Sequence, residues 1–338
     1  MATLLLTGAT GFLGSWILEA MRREDTCRKQ GFGTLRVLVR RPEKLSGADL
    51  PGTRLEVRQG DLLDTESVRS AAEGADAVLH LAALYDTTSP RRLFYRSNVE
   101  ATRALIAGMK AGSRLVLTST YGVNGFPNAG RPLNEDYEPK RPIWHYQRSK
   151  KMQEDLARKL CRERRIRFLA LRPPTVIGPR EMLSVPSMAH TIESGQMMLI
   201  GDGGNTLAFA HAADAARAHL LALERIEEND GAAFHFVSFH ATFRQYVDAF
   251  AAALGVAPVR RRAPLWLARL VGVMGDLGRS LGLRSPYSTF TVAYAASNDV
   301  LDDSRIRERL GFTPDYDLQR TIQECVEWYR RERPRGRS

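Results

Sequence analysis

The stretch TGATGFLG (residues 7–14) follows directly on the aliphatic run TLLLT (residues 3–7). Three glycines at this spacing, between a strand and a helix, have separate tasks. Gly8 permits a turn with positive φ, Gly11 lets the backbone approach a pyrophosphate, and Gly14 allows close helix–strand packing. The helix that follows carries Leu13, Ile17, Ala20 and Met21 on one stripe. Its first turn offers free N–H groups and partial positive charge to a phosphate. The stretch therefore reads as a dinucleotide site, with Gly8, Thr10, Gly11, Phe12, Leu13 and Gly14 against the cofactor.

Outward from this turn, short aliphatic runs alternate with helical patterns: LRVLVR (35–40), RLEVRQGD (54–61), DAVLHLAA (76–83), RLVLTST (114–120) and RFLALRPP (167–174). Such alternation predicts an α/β fold, a Rossmann-type doubly wound parallel sheet with helices on both faces. The segment EDTCRKQGFG (24–33) reads as an extended, exposed loop. Beyond about residue 180 the alternation lapses. Residues 210–226 and 243–255 read as helices, with FHFVS (234–238) as a strand between them. PLWLARLVGVMGDLGRSLGL (264–283) has a near-helical apolar period and reads as a packed lid or core helix, with contact to a membrane surface as the alternative. The expected division is a dinucleotide-binding Rossmann domain over 1–179 and a smaller, mostly helical substrate-binding region over 180–330. Parts of 205–240 return to the Rossmann core, and 331–338 form a basic tail.

Composition excludes several classes. The chain has 338 residues, 43% hydrophobic and 26% charged, which is ordinary for a soluble globular protein. No apolar run reaches the eighteen or so residues of a membrane span. The N-terminus lacks a basic n-region and reads as a buried strand, not a signal peptide. Three widely spaced cysteines, Cys27, Cys161 and Cys325, argue against a disulfide framework and for a reducing cytoplasm. Seven histidines show no ligand-like cluster, so no metal is expected. The net charge of +11 lies in scattered arginine pairs without interleaved aromatics, which gives no nucleic-acid signature.

The end of the second strand bears on the choice of dinucleotide. A carboxylate there would bind ribose hydroxyls and repel a 2′-phosphate; this chain has Arg40, followed by Arg41. A guanidinium makes bidentate, charge-assisted bonds to phosphate, so NADP(H) is expected rather than NAD(H). Asp61, ending the third strand beside Leu62, either accepts from the adenine amino group or caps the next helix. In WHYQRSKKMQEDL (144–156), Tyr146 and Lys150 stand one helical turn apart. A phenol ordinarily has a pKa of about 10, and a nearby ammonium lowering it by about three units (~4 kcal/mol) would make Tyr146 an acid–base near neutrality. Thr118, Ser119 and Thr120 end an upstream strand with hydroxyls suited to a reacting carbonyl oxygen.

Together these pieces resemble the extended short-chain dehydrogenase/reductase family over nearly the whole chain. TGATGFLG looks like its TGxxGxxG, HLAA (80–83) like the segment under the nicotinamide ribose, and NVEATRAL (98–105) like its NVxGTxxL helix. Tyr146 and Lys150 match YxxxK, Thr120 matches the catalytic Ser or Thr, and LRPPTVIGP (171–179) and FAHAADAARAHLLAL (209–223) match two later motifs. The resemblance implies that Tyr146 exchanges the proton and that Lys150 lowers its pKa and holds the nicotinamide ribose. It also implies that Thr120 positions the substrate oxygen, with Asn98 in the helix behind the site. Further cofactor contacts are implied at Leu62, Leu81, Ala82, Ala83, Thr118, Pro173, Thr175 and Val176, and substrate contacts at Tyr85, Thr120, Val123, Tyr146 and Pro174.

Two departures concern diphosphate binding. Relatives acting on nucleotide sugars carry Arg and Asn where this chain has Leu207 and Thr175. The remaining pattern is closer to dihydroflavonol-reductase-like and 3-beta-hydroxysteroid-dehydrogenase-like members. The expected activity is NADP(H)-dependent interconversion of a ketone or aldehyde and its alcohol on a hydrophobic small molecule. The alternatives are a nucleotide-sugar epimerase or dehydratase, and a catalytically silent cofactor sensor. A homodimer through the helices from Asn98 and Tyr146 is also implied.

Overall fold

The computed structural model describes residues 1–86, 89–125, 131–137, 144–282 and 288–332. Most of the basic tail and the end of the 264–283 stretch lie outside these. Six parallel strands, β1 (Ala2–Thr7), β2 (Phe32–Val39), β3 (Arg54–Gln59), β4 (Ala77–His80), β5 (Arg114–Thr118) and β6 (Arg167–Arg172), build the main sheet with Ala233–His235. The spatial order is Ala233–His235, β6, β5, β4, β1, β2, β3. Leu4, Leu5 and Leu6 are fully buried, as are Val78, Leu79, Leu115, Val116 and Leu117, because helices cover both faces. One face packs Ile17 of α1 (Phe12–Glu24) with Val37, Leu79 and the alanine-rich helix Ala212–Glu224. The other packs Val68, Ile106, Cys161 and Phe168. Strand order reverses between β1 and β4, and the crevice at their C-terminal ends is where such sheets bind ligands.

A smaller sheet runs Phe239–Thr242, Thr206–His211, Thr175–Ile177, antiparallel then parallel. The helices Ser184–Glu193, Phe243–Leu254 and Leu318–Glu332 pack with it around Val185, Phe209, Tyr246 and Phe250. Among the described residues no helix is long and apolar enough to cross a membrane, and no group of His, Cys, Asp and Glu could hold a metal. The three cysteines are buried free thiols.

Four expectations are corrected. Residues 24–33 are not an exposed loop: Asp25 turns the chain at φ 55°, Thr26–Lys29 form a helical turn, and Cys27 and Phe32 enter the core. Residues 210 and 211 belong to the strand Thr206–His211, and the helix begins at Ala212, where His211 Nδ1 accepts from the Ala213 amide at 3.1 Å. An unbroken alanine pattern hid that boundary. FHFVS splits: the strand is Ala233–His235, while Phe236 and Val237 are buried without pairing. The fourth is the helix Leu265–Ser280, which is neither a core element nor a lid with its apolar stripe packed inward. Trp266, Leu270, Val273 and Met274 are 49–67% exposed.

Candidate active site

Thr7, His80, Thr118 and Arg172 are the last residues of four adjacent strands, β1, β4, β5 and β6. The residues just beyond them form the site. Gly8 has φ +80°, and a Cβ there would lie 2.9 Å from the Ala82 amide. A Cβ on Gly14 would lie 2.1 Å from the Gly8 carbonyl, so only glycine lets α1 approach the turn this closely. Gly11 is the N-cap of α1 and supplies no side-chain cap, which leaves the first helical N–H groups to an outside acceptor. Thr10 and Gly11 are exposed, and Phe12 and Leu13 half-buried. This cradle fits a dinucleotide pyrophosphate.

Arg40 is exposed at the end of β2, its guanidinium 3.7 Å from the Asp61 carboxylate. Asp61 accepts from the Leu63 amide at 2.9 Å and does not cap the following helix. That cap is Asp64, which accepts from Glu66 and Ser67.

Tyr146 lies in the first turn of the helix His145–Glu163. Its ring meets Tyr85 edge-on at 5.0 Å and Phe94 at 6.3 Å. No protein group bonds its hydroxyl among the described residues. Burial, with Tyr85 alongside, pushes this phenol above its usual range. The expected lowering by Lys150 does not appear, and burial carries the phenol the other way. The Lys150 Nζ is held by the Thr118 carbonyl at 2.7 Å and by Gln153 Oε1. Burial also lowers the Lys150 ammonium, to about 7, with Glu154 opposing the shift.

Behind Lys150 runs a buried relay that spacing alone did not single out. Gln153 Nε2 donates to Thr102 Oγ1 at 2.7 Å, and Thr102 donates to the Asn98 carbonyl at 2.7 Å. With both bonds made, His80 Nε2 must be the donor across its 2.9 Å contact to Thr102. His80 Nδ1 then accepts from Thr7, 2.8 Å away, and Thr7 Oγ1 accepts from the Ala82 amide at 3.2 Å. Burial, with Lys150 nearby, drops His80 to about 3 and keeps it neutral. The signal was present: Gln153 stands three and seven residues after Lys150 and Tyr146, on their helix face. Asn98 accepts from the Leu84 amide at 2.8 Å and donates to Ser149 at 2.9 Å, within a π-helical segment, Tyr95–Glu100.

Of the three candidate hydroxyls, two are occupied. Thr118 bonds His219 at 2.8 Å, and Ser119 donates to Glu154 at 2.7 Å. Among the described residues Thr120 Oγ1 only accepts, from the Gly122 amide at 3.2 Å, which leaves its O–H to donate. Val123 is 1% exposed and Pro173 and Pro174 are buried, so they back the site, whereas Leu81, Ala82, Ala83, Thr175 and Val176 keep some surface. On the far side, Thr175 bonds the Tyr294 hydroxyl, and Tyr121 donates to Asp299 at 2.8 Å. Desolvation raises the Asp299 carboxyl to about 6, against bonds from Ser297 and Tyr121. Leu207 is 2% exposed within the core of the smaller sheet. Arg180 is engaged by Glu19 at 3.0 Å and stacks over Trp16 at 4.2 Å.

A doubly wound sheet with a glycine cradle at its switch point defines a Rossmann-type enzyme that uses a pyridine nucleotide. The profile of the NAD dependent epimerase/dehydratase family matches residues 4–235, and the chain belongs to that family, within the extended short-chain dehydrogenases/reductases. The 3beta-hydroxysteroid-dehydrogenase/decarboxylase isoform 1 of Arabidopsis thaliana is 25% identical over 347 residues, covering 96% of this chain and 78% of its own. The 2-alkyl-3-oxoalkanoate reductase of Stenotrophomonas maltophilia (strain K279a) is 27% identical over 278 residues, 77% of this chain and 82% of its own. A dTDP-glucose 4,6-dehydratase from Streptomyces venezuelae, solved with NAD, superposes with a TM-score of 0.74 at 23% identity over 98% of each chain. That last likeness is one of fold.

Proposed function

We propose that this protein is an NADP(H)-dependent reductase of ketones or aldehydes, or the reverse dehydrogenase, acting on an apolar small molecule. The observation that carries it is the Tyr146 hydroxyl, which no protein group bonds among the described residues, one turn from a buried lysine that the end of β5 holds. The glycine turn, Arg40, the strand ends and Lys150 would hold the dinucleotide, whose nicotinamide supplies or accepts the hydride. Tyr146 O–H gives its proton to the carbonyl oxygen during reduction and recovers it from the alcohol in reverse. Thr120 O–H donates to the same oxygen and orients it. Lys150, kept in place by the Thr118 carbonyl and Gln153, stabilises the phenolate as it forms.

A comparison of two contacts supports the NADP(H) preference. The exposed Arg40–Asp61 pair is worth ~0–1 kcal/mol, whereas a bidentate phosphate contact is worth about 1.5–3 kcal/mol. Arg40 would therefore exchange Asp61 for a 2′-phosphate. Against a nucleotide-sugar substrate stand Leu207, packed into a core, and Arg180, engaged on α1. Tyr85 and Phe94 instead line Tyr146 with aromatic surface. The steroid and the alkyl oxoalkanoate named for two relatives both carry large apolar parts.

The test is a panel of apolar carbonyls and nucleotide sugars assayed with NADPH and NADH. Reduction of apolar carbonyls with NADPH is expected, lost in Tyr146→Phe while NADPH still binds. Arg40→Ala should weaken NADPH about tenfold, one charge-assisted contact, and spare NADH. Epimerisation of a sugar nucleotide without any carbonyl reduction, or equal affinity for both cofactors before mutation, overturns the corresponding half.

A further inference from the structure

The helix Leu265–Ser280 is built the wrong way round for a soluble protein. Its small residues face inward: Ala268, Gly272 and Gly275 are buried, and a Cβ on Gly272 would meet the Ser288 carbonyl at 3.0 Å. Asp276, at the edge of this face, accepts from the Thr289 amide at 3.1 Å and pairs with Arg279 at 3.0 Å. Its large apolar residues face out. Trp266 is 67% exposed, Leu270 49%, Val273 55% and Met274 63%, and Leu281 beyond the helix end is 73% exposed. At 100° per residue these five fall on one stripe of about a quarter of the helix circumference. An isolated exposed leucine needs no explanation, but a contiguous stripe led by a tryptophan does.

Charge indicates what covers the stripe. Arg260, Arg261 and Arg262 are exposed just before the helix, and Arg269 is exposed on its flank. The only acid between residues 256 and 282 is Asp276, already paired with Arg279 and Thr289. Exposed tryptophan and leucine bordered by arginines, on a helix too short and too polar to span, make the signature of an interfacial helix. A second copy of this chain would bring the same arginines against themselves. A bilayer bearing anionic lipid brings the opposite charge.

We propose that the helix Leu265–Ser280 docks the protein on the surface of an anionic lipid bilayer, its Trp266–Leu270–Met274 stripe in the headgroup–acyl boundary. The helix that cradles it, Thr289–Ala295, reaches the candidate active site on its other side. There Phe290 packs on Trp144 at 5.9 Å, and Tyr294 bonds Thr175. The docked surface thus adjoins the site through one short helix.

Flotation with phosphatidylcholine vesicles, with and without phosphatidylglycerol, tests this on the full chain. The protein should float with the phosphatidylglycerol vesicles, less with phosphatidylcholine alone, and less in high salt. Leu270→Asp/Met274→Asp should reduce partition at least tenfold with unchanged circular dichroism and melting temperature. Tyr146→Phe should float like the unmutated chain, which separates this inference from the catalytic reading. No flotation with anionic vesicles overturns the proposal. So does a double variant that floats normally, whether or not it changes from dimer to monomer; that change would assign the stripe to a second copy.

Discussion

Two amphipathic helices of this protein break the same rule in opposite directions. His145–Glu163 buries Lys150, Gln153 and Glu154, all at 2% exposure or less, while Leu265–Ser280 exposes a tryptophan, four aliphatic residues and a methionine. Burying a charge is costly unless it is paired, and exposing a contiguous apolar face forgoes its transfer energy. Neither arrangement helps the fold. Departures of this kind collect where a protein acts. The first helix carries the candidate proton chemistry, and the second carries an apolar stripe that faces outward.

The comparison breaks most sharply at Glu154. Arg172 Nη2 lies 2.7 Å from one of its oxygens and Nε 3.1 Å from the other, and Ser119 at 2.7 Å and Arg158 at 3.2 Å also donate to it. The Arg172 guanidinium and these hydrogen bonds overcome burial and hold the Glu154 carboxyl at about 2. Glu154→Ala leaves Arg172 buried without its anion, so urea unfolding should show a loss of about 3–5 kcal/mol. Glu154→Ala/Arg172→Met should recover a large part of it. If the double variant is no more stable than the single, the lost charge partner is not the cause.

Acid sharpens the same contrast. His219 is fully buried against Thr118, and desolvation lowers it to about 4, from 6.5, despite its bond to the Ala215 carbonyl. The unfolded chain takes up this proton near 6.5 and the folded chain does not. Stability from this group is therefore complete above 6.5 and lost as pH falls from 6.5 to about 4, at about 1.4 kcal/mol per pH unit. His80, lowered to about 3, adds a parallel loss over a longer range. His219→Gln should flatten the slope of unfolding free energy between pH 6.5 and 4.5 by about that amount per unit. An unchanged slope would mean the imidazole already takes a proton in the fold.

How much of this was legible follows from where the information lies. Parallel strands buried on both faces appear as unbroken apolar runs, and the glycine turn fixes where β1 ends, so the main sheet could be read directly. Tyr146 and Lys150 were legible because one helical turn separates them. The Tyr121–Asp299 bond joins residues 178 apart and leaves no local trace. The Thr26–Lys29 turn is four residues long and held by the burial of Cys27, a tertiary effect that overrides a polar sequence. Periodicity showed that residues 264–283 carry an apolar stripe but not which side faces the protein. The missed signal was the opposite face, where Ala268, Gly272 and Gly275 are small enough to sit against another backbone.

The smallest expected effect belongs to that second helix, and its smallness is what it tests. A buried leucine truncated to a small residue costs about 2–5 kcal/mol, from lost transfer energy and the cavity left behind. Leu270 is 49% exposed, so little transfer energy is at stake and no cavity would form. Surface substitutions away from special features change stability by no more than about 0.5 kcal/mol. Leu270→Ser should therefore unfold within about 0.5 kcal/mol of the unmutated chain in the same urea titration that exposes Glu154→Ala. A loss above about 2 kcal/mol would mean the stripe is packed against the protein in solution, and the two helices would no longer differ in the way argued.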